Sequence, residues 1–481
     1  MTAGENRTGS FGGHRPPLQC TARFPFRVVL RKLAPMAHAS EATLSATPLT
    51  DFRPETFRGA TGFFRAAQDA GGRWSLLDPD DRPFFCRAVH GVRASAPATN
   101  EGGAAPFAAV DAATRLRAWG FNAVGAGGDG AGRDDGLAYF ASVDFCRAVA
   151  LIQAPGARLP DVFDSDWPRR ATTHALEVCA PLARERGLIG WLADDRPGWA
   201  QPEATAVLRA GAAPEARPTL LQICLSLEPA FAAYHAAWEF VLALHGGKLE
   251  SVARAWGAPL ANKEVVRERT RAEQGFASRG YLRDHSRWTR EFARRYFTST
   301  AAAIRAADQH HLVLGCRFGG PVGEPVRVEC AAPAVDVALL DWRELPAVHP
   351  AGSAGAGPAD ASAVGIGRPG LGGPVLAGDF CWADEKFFGG QTAGSRAHGF
   401  TAVERMLRRG RAAFARTARH PAVVGYVWPQ WLDEPGEQPP FARGLVHGNG
   451  AEAREHTELL ADLNARAESL RRAGAVLPVS P

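Results

Sequence analysis

The chain has 481 residues, 46% of them hydrophobic and 22% charged, which suffices for a large core in an ordinary globular protein. No apolar run approaches the roughly 18–20 residues that a membrane helix needs. The formal charge of +5 is small for this length, and arginines are scattered among acids with no basic stripe suited to nucleic acid.

The opening MTAGENRTGSFGGHRPPLQC is polar, glycine-rich and aperiodic, and reads as a disordered leader over 1–45, with Met36 an alternative start. The FPFRVVL that follows is too short and too interrupted by arginine for a secretory signal, which points to the cytoplasm. Ordered text begins near residue 60. There GFFRAAQDAGGRWSLLDPDDRPFFCRAVHGV predicts a β-hairpin, turning at Asp78–Asp81, that feeds a buried strand. An amphipathic helix over AATRLRAWG leads into a second strand at FNAVG, and DFCRAVALIQAP predicts a third. The helix PRRATTHALEVCAPLARERG then delivers the chain to GLIGWLADDRPGW, where a short apolar run meets Asp-Asp-Arg and halts at Pro-Gly.

Residues 200–310 are helical in composition, ending in a long helix from about Tyr281 to Ala307. Strands return in HLVLGCRFG, VDVALLDW and PVLAGDFCW, the last two separated by a long loop, Pro350 to Gly373. A helix over AVERMLRRGRAAFARTARH, the strand AVVGYVWPQW and a final helix close the chain. The eight cysteines are far apart, with no CxxC pair and no Cys/His cluster. They read as buried free thiols in a reducing compartment, and neither a metal nor an organic cofactor is implied.

Eight short apolar strands, near 84, 121, 147, 188, 311, 335, 374 and 423, alternate with helices. That pattern predicts an α/β fold of the (β/α)8 TIM-barrel type over 60–470, with an N-terminal β-hairpin and a helical insertion at 200–300 after strand 4. A doubly wound sheet is the alternative, but GAGGDGAG after the second strand is not followed by the helix start a phosphate loop requires.

In a barrel, residues just past the strands form the active face. They are His90, the Gly125 to Asp129 loop, Gln153, Asp194, Asp195, Arg196, Arg317, Asp341, Trp342, Arg343, Glu344, Asp379, Trp428, Gln430, Trp431, Asp433 and Glu434, with Asn122 of the second strand a further candidate for binding substrate. Carboxylates beside indole rings suit a carbohydrate site: indole faces stack on pyranose C–H groups, and carboxylates bind hydroxyls or move protons. The bland alternative is that the acids and arginines form ion pairs around the rim.

Several of these segments carry a family resemblance. The entry segment is similar to GFF…GRWWLVDPDGxPFFSxGVN, RLRAWGFNAVG to RLKxWGFNTxG, and LPDVFDSDW to a third-strand loop. GLIGWLADDRPGW resembles IGYFxDNELxW, PVLAGDFCWA resembles PVLIGEF, and VVGYVWPQWLDEPGE with RGLVHGNG resembles GxxWFQYxDQPxxG…GLVD. Together, over about 60–465, they resemble the clan A (β/α)8 glycoside hydrolases, most of all the agarase-like and β-galactosidase-like members.

The resemblance implies a site for β-linked galacto-oligosaccharides, with a glutamate acid/base after strand 4 and a glutamate nucleophile after strand 7. Here Arg196 occupies the acid/base position, Asp379 the nucleophile position, and His90 replaces an asparagine after strand 1. A guanidinium can neither release nor take a proton at neutral pH. Two readings follow: an enzyme of altered constellation with Asp379 as nucleophile or base and Asp195, or else Asp194, as acid, or a catalytically silent barrel that binds sugar or serves as a scaffold. In either, Arg196 and Asp379 are expected to face each other as an ion pair that lowers the Asp379 pKa.

Overall fold

The computed structural model describes residues 49–93, 112–133, 135–148, 151–200, 217–345, 372–383, 396–397, 400–437 and 441–473. The chain divides into a unit of residues 1–45 and a unit of 46–481. The expected leader, Met36 and nearly all of the Pro350–Gly373 loop lie outside the described residues.

Eight parallel strands form one curled sheet. They are β1 (Cys86–Val89), β2 (Ala123–Val124), β3 (Ala138–Ser142), β4 (Leu188–Leu192), β5 (Leu312–Val313), β6 (Ala338–Asp341), β7 (Val375–Gly378) and β8 (Val423–Trp428). Their order is β5-β4-β3-β2-β1-β8-β7-β6. The two ends of that row meet through backbone bonds: Val337 N–H donates to Val313 O (3.2 Å) and Leu339 N–H to Leu314 O (3.1 Å). The curl is therefore that of a TIM-like barrel, with neighbours following chain order.

β4, β6, β7 and β8 are buried along their whole length, as strands with both faces covered must be. Gly190 and Gly425 sit where neighbouring strands come closest. A Cβ at either would meet a backbone oxygen, of Leu312 at 2.3 Å or of Cys86 at 2.4 Å. One apolar cluster fills the interior, including Ala88, Phe140, Ile189, Leu314, Leu339, Leu376 and Val424. Trp74 and Leu76 of the preceding antiparallel sheet (strands Arg65–Gln68, Trp74–Leu77 and Pro83–Phe84) belong to the same cluster, which places that sheet over the N-terminal end of the barrel strands.

A second, larger cluster lies between sheet and helices. Among its helices, Trp167–Cys179 and Arg279–Ala307 are joined by the Trp167 indole N–H, which donates to Ser299 Oγ at 2.8 Å. Further helices over Leu220–Arg271 precede the long one, between β4 and β5. Seven described cysteines are free and buried.

One strand differs from the sequence expectation. The third barrel strand is Ala138–Ser142, not the run near 147. Residues 145–148 are helical, and Leu151–Ala154 pairs antiparallel with Ala157–Pro160, which pairs in turn with Gly198–Trp199. The cause is local. Pro155-Gly156, with Gly156 at φ +76°, makes a tight turn that folds the apolar run back on itself and away from the barrel.

The junction of the long helix with β5 is held by a buried carboxylate. Asp308 accepts from the Trp191 indole of β4 (2.8 Å), from His311 Nδ1 (2.6 Å) and from the His310 N–H (2.8 Å). The other His311 nitrogen faces the Glu185 carbonyl at 2.9 Å, so the ring is held from both sides. Asp308→Ala would leave that ring and the indole without their acceptor in the core. Urea unfolding is expected to show a loss of about 3–5 kcal/mol. A loss below about 1 kcal/mol would mean that the junction is held by packing alone.

Candidate functional site

The site is built outward from the end of β4. After Leu192 the chain continues as a two-residue extension, Asp194–Asp195, paired in parallel with Cys316–Arg317 beyond β5. Successive side chains along an extended segment point to opposite sides. Asp194 points away from the barrel axis into the helical layer. There Oδ1 accepts from the Cys146 N–H at 2.7 Å, and Oδ2 accepts from the Tyr296 hydroxyl of the long helix. It is 1% exposed, and burial pushes its carboxyl up to about 6, outweighing those bonds. Asp195 takes the other side and meets Arg317, whose Nη1 lies 3.3 Å from Oδ1.

Arg317 is the centre of the mouth. Besides Asp195, it donates from Nη2 to the Pro429 carbonyl after β8 (2.9 Å), and its own carbonyl accepts from the Arg196 N–H (2.6 Å). Its Nε is buried without a partner. Burial lowers its pKa, with Asp195 opposing. Asp379, after β7, is carried on a left-handed backbone (φ +47°) and makes no hydrogen bond among the described residues. Its carboxyl is raised by burial, and Arg317 opposes that shift without reversing it.

His90, after β1, is fully buried with neither ring nitrogen partnered. Burial holds its pKa well below the usual value, and the nearby charges of Arg317 and Arg196 add to the effect. The Ala126 carbonyl pulls the other way but does not meet hydrogen-bond geometry. Two glycines after β2 let these groups converge. A Cβ on Gly125 would strike the His90 ring at 2.3 Å, and one on Gly127 would lie 3.4 Å from both Arg317 Nη1 and Asp195 Oδ2.

Above this floor is a charged rim. Arg196 also has a left-handed backbone (φ +55°), at a cost of about 1 kcal/mol for a side chain of its kind. Its stem runs over Gly319, and its Nη2 lies 3.5 Å from Glu434 Oε1, both side chains about half exposed. Glu434 also pairs with Arg443 (3.1 Å), which binds Glu437, and Glu437 accepts from Gln430. β4 and β8 lie four places apart in the sheet order whichever way it is counted. The Arg196–Glu434 pair therefore spans the mouth, and the Arg317–Pro429 bond joins the ends of β5 and β8 beneath it.

This arrangement differs from the expected pair. Arg196 meets Glu434 rather than forming an ion pair with Asp379, and the Asp379 pKa moves up rather than down, because desolvation exceeds the pull of the arginines.

Other anticipated residues lie elsewhere. Asn122 is at the N-terminal end of β2, where it accepts from the Arg87 N–H (2.8 Å) and donates to the Phe85 carbonyl (3.0 Å). Gln153 is exposed on the Leu151–Ala154 strand, outside the barrel sheet. Asp341 is buried and held by Arg343 at 2.6 Å, and Glu344 accepts from the Val322 and Gly323 N–H groups. Trp342 packs edge-on against Phe380. Trp428 is fully buried, its indole N–H donating to the Arg443 carbonyl and its ring against Trp382 at 4.9 Å; Trp431 packs on Trp119. Neither indole presents a face to the mouth. Tyr296 and Trp382 carried no sequence signal of their roles, since each reads as an ordinary core aromatic. Among the described residues no group of three or more His, Cys, Asp and Glu side chains could hold a metal, and no helix is long and apolar enough to cross a membrane.

No protein-family model matches the chain. Beta-agarase A of Vibrio sp. (strain JT0107) is 24% identical over 449 residues, which cover 77% of this chain and 42% of that protein. The chain thus spans less than half the length of that relative. An exo-beta-agarase of known structure superposes with a TM-score of 0.56 at 16% identity, over 86% of this chain and 66% of that one. BpGH50 superposes with a TM-score of 0.56 at 15% identity, over 88% and 87% of the two chains. The resemblance to agarases read from the strand-end motifs is thus present in sequence and in fold.

Asp194 gives the site a pH signature. An unfolded aspartate titrates near 3.9, whereas burial raises this one to about 6, so the native state holds the proton longer. The protonated carboxyl's stabilisation is complete below about pH 4 and is lost as pH rises through about 6. Asp194→Asn is expected to remove about 2–3 kcal/mol of that pH dependence. The difference between wild-type and variant unfolding free energies at pH 4 and pH 7 checks it, and equal slopes would refute the assignment.

Proposed function

We propose that this chain is a glycoside-hydrolase-type barrel that binds β-linked galacto-oligosaccharides at the C-terminal mouth of its sheet, with hydrolysis impaired. On this reading the architecture is a (β/α)8 barrel, the antiparallel sheet over 65–84 is its N-terminal hairpin, and the helices between β4 and β5 are an insertion. The likeness to agarases supports the ligand class. The observation that carries the impairment is the end of β4. A guanidinium stands where that family places its proton donor, and with Arg317 it reaches across the mouth to the β8 loop.

The chemistry follows from the groups present. Without a general acid the leaving oxygen departs unprotonated, which typically lowers the rate by about 10²- to 10⁴-fold. Asp379 is one methylene shorter than a glutamate and is buried in surroundings that disfavour its anion. Misplacing a nucleophile by that much costs a further ~10². Binding is less affected, since it draws on the whole mouth.

A second reading, an active glycosidase using Asp379 and Asp195, has one observation in its favour. Asp379 is inclined to keep its proton while Asp195 lies beside Arg317, the kind of division that separates acid from base. On that reading Asp379 takes the part of the acid, in place of the nucleophile or base expected from the sequence.

Hydrolysis of an activated aryl β-galactoside separates the two. The Arg196→Glu, Asp379→Glu double variant is expected to gain at least about 10²-fold over wild type, and each single variant much less, because acid and nucleophile act as a unit. Arg196→Glu also sets a carboxylate near Asp379 and Glu434, which raises one pKa of the group as a general acid requires. A wild-type protein already as fast as the double variant, and silenced by Asp379→Asn, would establish the second reading instead. A folded double variant that binds no galactoside would reject the ligand class.

A further inference from the structure

Arg196 already displays the chemistry it accepts. Its guanidinium faces a carboxylate, Glu434, at 3.5 Å, with both side chains about half exposed. A contact that long and that wet is weakly held. Glu434 has a second and shorter partner in Arg443 at 3.1 Å, which is itself bound by Glu437. Glu434 can therefore leave Arg196 without losing its only cation. The Arg196 stem lies along Gly319, where the nearest approach of a Cβ would be 3.3 Å, so no side chain stands over it from that side.

The floor beneath is arranged for an oxygen-rich group. Arg317 Nε and both His90 nitrogens are buried without partners, and the Gln430 side-chain oxygen is buried and unpartnered as well. Groups left this way cost about 1–3 kcal/mol each until something meets them. Two cations here, Arg196 and Arg317, come from the β4 and β5 ends. The nearest carboxylates are Asp195, 3.3 Å from Arg317, and Asp379, whose anion burial disfavours.

The geometry points to an acidic galactoside as the ligand, its carboxylate or sulfate oxygens taking the place of Glu434 on Arg196. This rests on the galactoside reading above and narrows it. The ring hydroxyls of such a ligand face Asp379 and Gln430, and Arg317 supplies a second positive charge below. Glu434 is then a resident competitor that occupies Arg196 until the ligand displaces it, remaining on Arg443.

Calorimetric titration of the full chain with three probes tests this: a neutral β-linked galactose disaccharide, its counterpart with a galacturonate ring, and its O-sulfated counterpart. At least one charged probe is expected to bind about tenfold more tightly than the neutral one, as a charge-assisted contact allows, with the advantage shrinking as salt is added. Which charged probe leads identifies the anionic group. Arg196→Gln should erase the advantage. Glu434→Gln should enlarge it about 2- to 5-fold, the range of an exposed ion pair. Opposite signs from the two halves of one salt bridge are what distinguish a displaced competitor from a structural pair. Equal or better binding of the neutral probe, or weaker charged-probe binding in Glu434→Gln, would overturn the inference while leaving galactoside binding intact. Binding of none of the three would overturn both.

Discussion

A buried guanidinium organises this mouth. Arg317 is 6% exposed, yet its charge must be compensated, because an isolated ion in such a place costs several kcal/mol. Three elements supply the compensation. Asp195 beyond β4 offers a carboxylate, Pro429 beyond β8 offers a carbonyl, and Asp379 beyond β7 adds its partial charge. The directions of those strand ends follow from the need to satisfy one cation. Gly127 lines the same pair, and its left-handed backbone (φ +84°) is what glycine supplies there.

The same cation explains why the expected Arg196–Asp379 pair does not form. Arg317 is far more deeply buried than Arg196, and it is the cation that opposes the Asp379 shift most. Arg196 is displaced to the rim, where Glu434 and solvent receive it. Desolvation then decides the state of Asp379. Arg317, Arg196 and Arg343 pull its pKa down, Asp341 pushes it up, and burial outweighs the pull of the arginines. An argument from charge signs alone therefore gave the wrong direction, and burial, which sequence does not display, was the missing quantity.

Much of the fold was legible because its signals are local. Apolar runs bounded by turn residues marked seven of the eight barrel strands, and helical periodicity marked the long helix that runs from Arg279 to Ala307. The third strand was misread because Ala138–Ser142 has no β-branched residue, whereas the run after it looks more strand-like and is in fact a hairpin at Pro155-Gly156. At the site, Gln153 falls on the hairpin strand and Asn122 at the N-terminal end of β2, and the side to which a strand-end residue points is not written in the sequence. Asp194 and Asp195 are adjacent and chemically identical, yet one anchors to Tyr296 and the other meets Arg317. Their difference depends on pairing with Cys316–Arg317, more than 100 residues away. Trp428 was misjudged for a similar reason: at the end of β8 it faces the helical layer, against Trp382.

The two neighbouring residues at the end of β4 divide the work of folding from that of chemistry. Asp194 fixes the strand end from outside the barrel, through Tyr296 and the Cys146 N–H, and owes nothing to what stands two residues later. Arg196 contributes to the fold mainly through its backbone N–H, which any residue other than proline supplies to the Arg317 carbonyl. Its side chain is half exposed and weakly paired. A change of charge at position 196 therefore leaves the barrel intact while inverting the electrostatics of its mouth. On the reading proposed above, that separation lets position 196 exchange a proton donor for a cation without disturbing the strand end.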